Sequence, residues 1–65
     1  LKAKIKIEFF CLSENEKSKL SEEMRQTIVN FIELAQKKHY SILMIEPKML
    51  SPNGGELCIE YEVNE

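Results

Sequence analysis

Cys58 stands in the run LCIEYEVNE, residues 57–65, with Glu56, Glu60 and Glu62 on the same side of an apolar–charged alternation. A thiol becomes nucleophilic when neighbouring cations hold its pKa down. The lysines of KAKIKIE, residues 2–8, are the charges that could do this, with Lys4 or Lys6 beside Cys58 if the two segments pair. Otherwise Cys58 is a small residue filling a strand position. Glu60 and Glu62 could serve as acid and base, but that requires an apolar surround that separates their pKa values, and the alternation gives them a solvated face. His39 needs a carboxylate or thiol to orient it for catalysis or metal binding, and none lies beside it. It reads as a histidine near a helix carboxyl end. Cys58 and His39 are therefore weak reactive candidates, and no catalytic, cofactor-binding or metal-binding residue is assigned.

Other chemistries find less. Two cysteines and one histidine are too few for a closed zinc site, so no metal or cofactor is expected. SPNGGE, residues 51–56, is glycine-bearing but lacks the spacing and following helix of a phosphate loop, and reads as a hairpin turn. Lys2, Lys4 and Lys6 with Phe10 faintly resemble a single-strand nucleic-acid platform, yet the glutamates cancel that field. With a net charge of −2 and interspersed signs, neither nucleic acid nor an anionic membrane is an expected partner.

Positioning these residues falls to a small chain. Sixty-five residues make one domain, 1–65, near the lower size at which a hydrophobic core alone offsets chain entropy. Cys11 and Cys58 have opposite facings, which argues against a bridge between them. No secretory leader is evident and no apolar run approaches the roughly 18 residues of a membrane span, so reduced thiols in a cytoplasmic protein are expected. The wealth of Lys, Glu, Ile and Asn suggests an AT-rich bacterial or phage genome. With staples and metals set aside, oligomerisation is the expected source of extra stability.

Alternation over residues 2–11 puts Ala3, Ile5, Ile7, Phe9 and Cys11 on one side, and Lys2, Lys4, Lys6 and Glu8 on the other, so a strand is predicted with Phe10 on its charged face. SENE, residues 13–16, has the form of a capping box, Ser13 with Glu16. Leu20, Met24, Ile28, Phe31, Ile32 and Ala35 then recur at helical spacing. Val29 and Leu34 fall outside that stripe. Residues 41–50 read as a strand with Leu43, Ile45 and Met49 on one face and Ile42, Met44 and Leu50 on the other. Residues 56–64 form the second arm of a hairpin. Pro47 cannot donate to a ladder, so the first arm must be an edge there.

The opposed charge rows now have a structural meaning. If the last strand pairs antiparallel with the first, Lys2, Lys4 and Lys6 lie near Glu62 and Glu60, and Ala3, Ile5 and Ile7 near Tyr61, Ile59 and Leu57. A slip of one residue would bury these charges. The expected fold is therefore α+β, a β-α-β-β two-layer sandwich with a mostly antiparallel three-stranded sheet of order 1-3-2 and one long helix on one face. The alternative pairs the first and second strands in parallel through a right-handed crossover.

The strand AKIKI, the helix pattern Ser13, Leu20 and Ile28, and the run Gly54, Gly55, Glu56 and Leu57 resemble the subunit layout of 4-oxalocrotonate tautomerases. That resemblance implies an oligomer, and in that family an amino-terminal proline acts as base while arginines bind the substrate carboxylate. Here residue 1 is Leu, Cys11 and Leu12 stand where an arginine is expected, and the sole arginine is Arg25 on the helix. The strand–helix–strand–strand order is similar to that of dodecins as well, whose flavin-stacking tryptophan has no counterpart.

Two functional expectations follow. The first is a small non-enzymatic protein-interaction module whose partner is itself or another protein, docking through Phe10, Ile42, Met44, Leu50, Val29 and Leu34. The second is a small oligomeric tautomerase-like protein lacking the amino-terminal proline, with Cys58, His39 or Glu60 supplying the chemistry.

Overall fold

The computed structural model describes residues 1–50 and 54–64. Strand β1 spans Lys2–Phe10, helix α1 Lys17–Lys38, strand β2 Tyr40–Leu50 and strand β3 Gly54–Val63. The strands form one antiparallel sheet in the order β1-β3-β2. One such sheet with one helix is an α+β fold, and β1 and β2 do not pair in parallel. Of the expected hairpin turn, residues 51–53 lie outside the described residues, whereas Gly54 and Gly55 belong to β3 rather than to the turn.

The register is the one expected from the charge rows. Lys2 opposes Glu62, Lys4 opposes Glu60, Ile5 opposes Ile59 and Ile7 opposes Leu57. The same ladder puts Glu8 opposite Glu56, a like-charge pair that costs stability unless other cations approach. Along β1 the residues Ala3, Ile5, Ile7 and Phe9 are half-buried while their neighbours are exposed.

Leu20, Met24, Phe31 and Ala35 of α1 meet Leu57 and Ile59 of β3 in the buried core. Ile5, Ile7, Phe9, Ile28, Ile42 and Ile45 pack around them, half-buried. Ile32 departs from the expected stripe. It sits about 120° around the helix from Leu20, at the stripe's margin, and 37% of it stays exposed. At the far end of the helix the Tyr61 ring lies edge-on to Phe31, centroids 5.2 Å apart, and stacks on Tyr40 at 5.1 Å. Gly55 faces the core at the other end, where a Cβ would stand 2.7 Å from the Met24 sulfur. A side chain there would force Met24 to move.

The helix start differs from the expected capping box. A 3₁₀ turn, Glu14–Glu16, precedes α1, and the Glu16 amide donates to the Ser13 carbonyl rather than to its hydroxyl. The Glu16 carboxylate accepts from the Leu12 amide at 3.3 Å, one residue before the expected one. The tighter turn shifts the reciprocal geometry back along the chain. At the other end His39 closes the helix in the left-handed region, φ 61° and ψ 38°, its amide donating to the Ala35 carbonyl. A Cβ is unfavourable there. His39→Gly is expected to raise unfolding free energy by about 0.5–1 kcal/mol in urea titrations, the strain relief outweighing the added freedom of the unfolded chain.

Strand β2 carries the main correction to the sequence reading. Its register with β3 runs Ile42 to Tyr61, then Met44 to Glu60 and Ile45 to Ile59, with an irregularity between Ile42 and Met44. Leu43 is the extra residue. A bulge of this kind puts two residues against one and reverses the alternation beyond it. Ile42, expected on the face away from the helix, therefore packs on the core, and Leu43, expected on the core side, is 46% exposed. Ile45, Pro47 and Met49 follow on the helix side, opposite Ile59, Leu57 and Gly55. Pro47 does lie on an edge strand.

Candidate functional site

The sheet face away from the core is built from alternate residues of all three strands. Lys2, Lys4, Lys6, Glu8 and Phe10 come from β1, and Gly54, Glu56, Cys58, Glu60 and Glu62 from β3. Ser41, Met44, Glu46, Lys48 and Leu50 come from β2. Cys58 sits at the centre, between Lys6 and Glu46.

The arrangement reverses the expected electrostatics of this thiol. Cys58 Sγ donates to Glu56 Oε1 at 3.3 Å, and Lys6 Nζ approaches the same oxygen at 3.3 Å. Residues two apart on a strand share a face, so the acid on its own strand reaches the thiol while Lys6 is drawn to the acid. The hydrogen bond to Glu56 raises the Cys58 pKa above its ordinary value, partial burial and the Glu56 charge add to the rise, and Lys48 and Lys4 only reduce it. The lowered pKa expected from neighbouring lysines is overturned. Glu56 itself is held below the ordinary carboxylate range, first by the Cys58 hydrogen bond and then by Lys6 and Lys48, against a desolvation effect of opposite sign.

The two shifts have opposite linkage to pH. Glu56 has a lowered folded pKa, so its stabilisation is present above the ordinary carboxylate pKa and lost as pH falls through the lowered one. Cys58 has a raised folded pKa, so its contribution is present below the ordinary thiol pKa and lost as pH rises through the raised one. In a Cys11→Ser background, iodoacetamide should alkylate Cys58 slowly at pH 8, and Glu56→Gln should speed the reaction. Equal rates in the two variants would count against the hydrogen bond as the cause.

His39 lies elsewhere. It precedes β2 at the end of the sheet where Tyr40 opposes Val63, and its carbonyl accepts from Asn64 Nδ2 at 3.0 Å. Asn64 also donates to Ser41 Oγ at 2.7 Å, fastening the helix terminus to the end of β3. The fold does not bring His39 to Cys58 or Glu60. Among the described residues, no group of three His, Cys, Asp or Glu side chains is placed to hold a metal ion. No helix there is long and apolar enough to cross a membrane.

The expected docking residues divide among several surfaces. Phe10, 77% exposed, and Leu50 flank Gly54 at one end of the outer sheet face, with Met44 further along it. Val29 and Leu34 are exposed on α1, about 140° apart around its axis. Ile42 is withdrawn to the core side. Residues that the sequence reading did not single out for docking form a further apolar strip, where Met24 and Ile28 of the helix border Pro47 and Met49 of β2, with Ser21 and Arg25 at its rim. Met49 is 56% exposed. The signal for this strip was present in the sequence, as apolar residues at the helix margin beside an edge strand marked by Pro47.

Comparison with protein-family models, with curated proteins and with solved structures gives no match. The likeness to tautomerase and dodecin subunits rests on the residues quoted above alone.

Proposed function

We propose that this chain is a small non-enzymatic protein-interaction module that associates with itself. The observation that carries this reading is a balance of apolar side chains. Among the described residues six hydrophobic side chains are buried, whereas nine large ones are exposed: Leu1, Phe10, Leu12, Val29, Ile32, Leu34, Leu43, Met49 and Leu50. Single exposed apolar residues are ordinary, but here they outnumber the core. In this reading the chain is a β-α-β-β two-layer sandwich whose narrow core is completed by a neighbour. The thiol on the outer face favours a binding role over a catalytic one, because its hydrogen bond to Glu56 raises its pKa instead of lowering it.

Sedimentation equilibrium over about a hundredfold dilution tests this reading through mass action. Wild type should gain mass with concentration and lose stability on dilution. A stable monomer throughout would refute self-association and leave the exposed surface for a different protein.

A further inference from the structure

We infer that two copies join along β2 in antiparallel register centred on Pro47, extending each sheet into the other. This rests on the self-association reading above and adds the surface and the register.

The other edge of the sheet and its outer face are less suited to a copy of themselves. Strand β1 sets lysine against lysine in every antiparallel self-pairing centred from Lys2 to Lys6; centred on Ile7 it pairs Lys6 with Glu8, but it then sets Lys4 against Phe10, and Lys6 is already drawn to Glu56 at 3.3 Å. The outer sheet face carries Glu56, Glu60 and Glu62 down its central strand, so stacking two such faces with their central strands superposed brings acid onto acid. Strand β2 is the remaining edge of the sheet.

A two-fold axis perpendicular to the sheet keeps each side chain on its own face, so residues of like parity oppose one another. Centred on Pro47, Glu46 opposes Lys48 of the second copy and Lys48 opposes its Glu46. Within one chain Lys48 Nζ already lies 3.4 Å from Glu46 Oε1, and both side chains are about half exposed. Pairing would close the four groups into a ring of alternating sign. On the same face Met44 opposes Leu50, and on the helix side Ile45 opposes Met49.

Neighbouring registers fail. Centring on Glu46 sets acid on acid, and centring on Lys48 sets base on base. Centring on Ile45 sets Glu46 against Met44.

The helix side fits as well. Two-fold pairing would bring Ile28, Pro47 and Met49, which border the buried Met24, against their own copies, covering apolar surface that one chain leaves open. The proline sets a limit. It has no N–H, so the central pair contributes no donor, and the ladder bonds fall to Ile45 and Met49 on either side. Association is therefore reversible rather than obligate.

The test uses charge reversal at two exposed positions. Glu46→Lys and Lys48→Glu each turn both cross-copy ion pairs repulsive, and each should weaken self-association about tenfold or more. Mixing the two variants should restore association as a heterodimer, since a chain with lysine at both positions then faces a chain with glutamate at both. Circular dichroism on each variant establishes that it is folded, and the mixing arm reads recovery independently of any stability loss. Single variants that associate like wild type, or a mixture that stays dissociated, would overturn the register while leaving self-association standing. A wild type that is monomeric throughout would overturn both.

Discussion

Replacing Ile59 with alanine is expected to cost about 2–5 kcal/mol, as for other fully enclosed aliphatic side chains. Ile59 has no exposed surface, lies on the central strand, and is flanked by Ile5 on one side and Ile45 on the other. At about 0.05–0.15 kcal/mol per residue, a chain of this length is stable by only about 3–10 kcal/mol. The loss is therefore comparable with the whole. Among the described residues one helix and one sheet are the only layers around Ile59, so little surrounds a cavity there to close over it. In urea denaturation Ile59→Ala should lack most of its folded baseline at 25 °C, whereas Leu34→Ala on the exposed side of α1 should stay within about 0.5 kcal/mol of wild type. A loss at Ile59 below about 1 kcal/mol would mean that the core lies elsewhere.

The pairing of β1 with β3 was legible because both strands alternate strictly and carry opposite charges. Period two fixes the facing, and charge then fixes which residues oppose, so Lys4 with Glu60 and Ile5 with Ile59 could be read together. The helix stripe was legible for the same kind of reason, since Leu20, Met24, Phe31 and Ala35 repeat at three and four. Its margins were less so. Whether Ile28 or Ile32 is covered depends on how far the sheet extends beneath the helix, and periodicity carries no such information.

For the outer face, sequence reasoning placed Cys58 on the correct side and drew the wrong sign for its pKa. Cross-strand neighbours received the weight, although Glu56 is two residues away on the same strand and therefore on the same face. Lys6 stands directly opposite Cys58 on the ladder, but its ammonium is drawn to Glu56. A thiol donating to a carboxylate is stabilised as a thiol, whatever cations stand behind the acid. The position of His39 near the end of the helix was readable from the periodicity. Its left-handed backbone was not, because that conformation usually advertises itself through Gly or Asn.

Strand β2 exposes the limit of alternation as evidence. SILMI is apolar at four consecutive positions, so nothing in it distinguishes an inward from an outward residue, and a bulge leaves no compositional trace. Two glutamate substitutions separate the possibilities. Ile42→Glu puts a carboxylate beside Tyr61 and the core residues that Ile42 packs against. Desolvation should then cost about 2–4 kcal/mol and raise the glutamate pKa, so the loss in urea denaturation should shrink as pH falls towards 4. Leu43→Glu, on the extra residue of the bulge, should cost less than about 1 kcal/mol at any pH, because nearly half of that side chain already meets water. Strict alternation from Ile45 back through Leu43 predicts the opposite ranking. If Leu43→Glu proves the more damaging variant, the bulge between Ile42 and Met44 is absent in solution, and Ile42 belongs on the outer face with Met44 and Leu50.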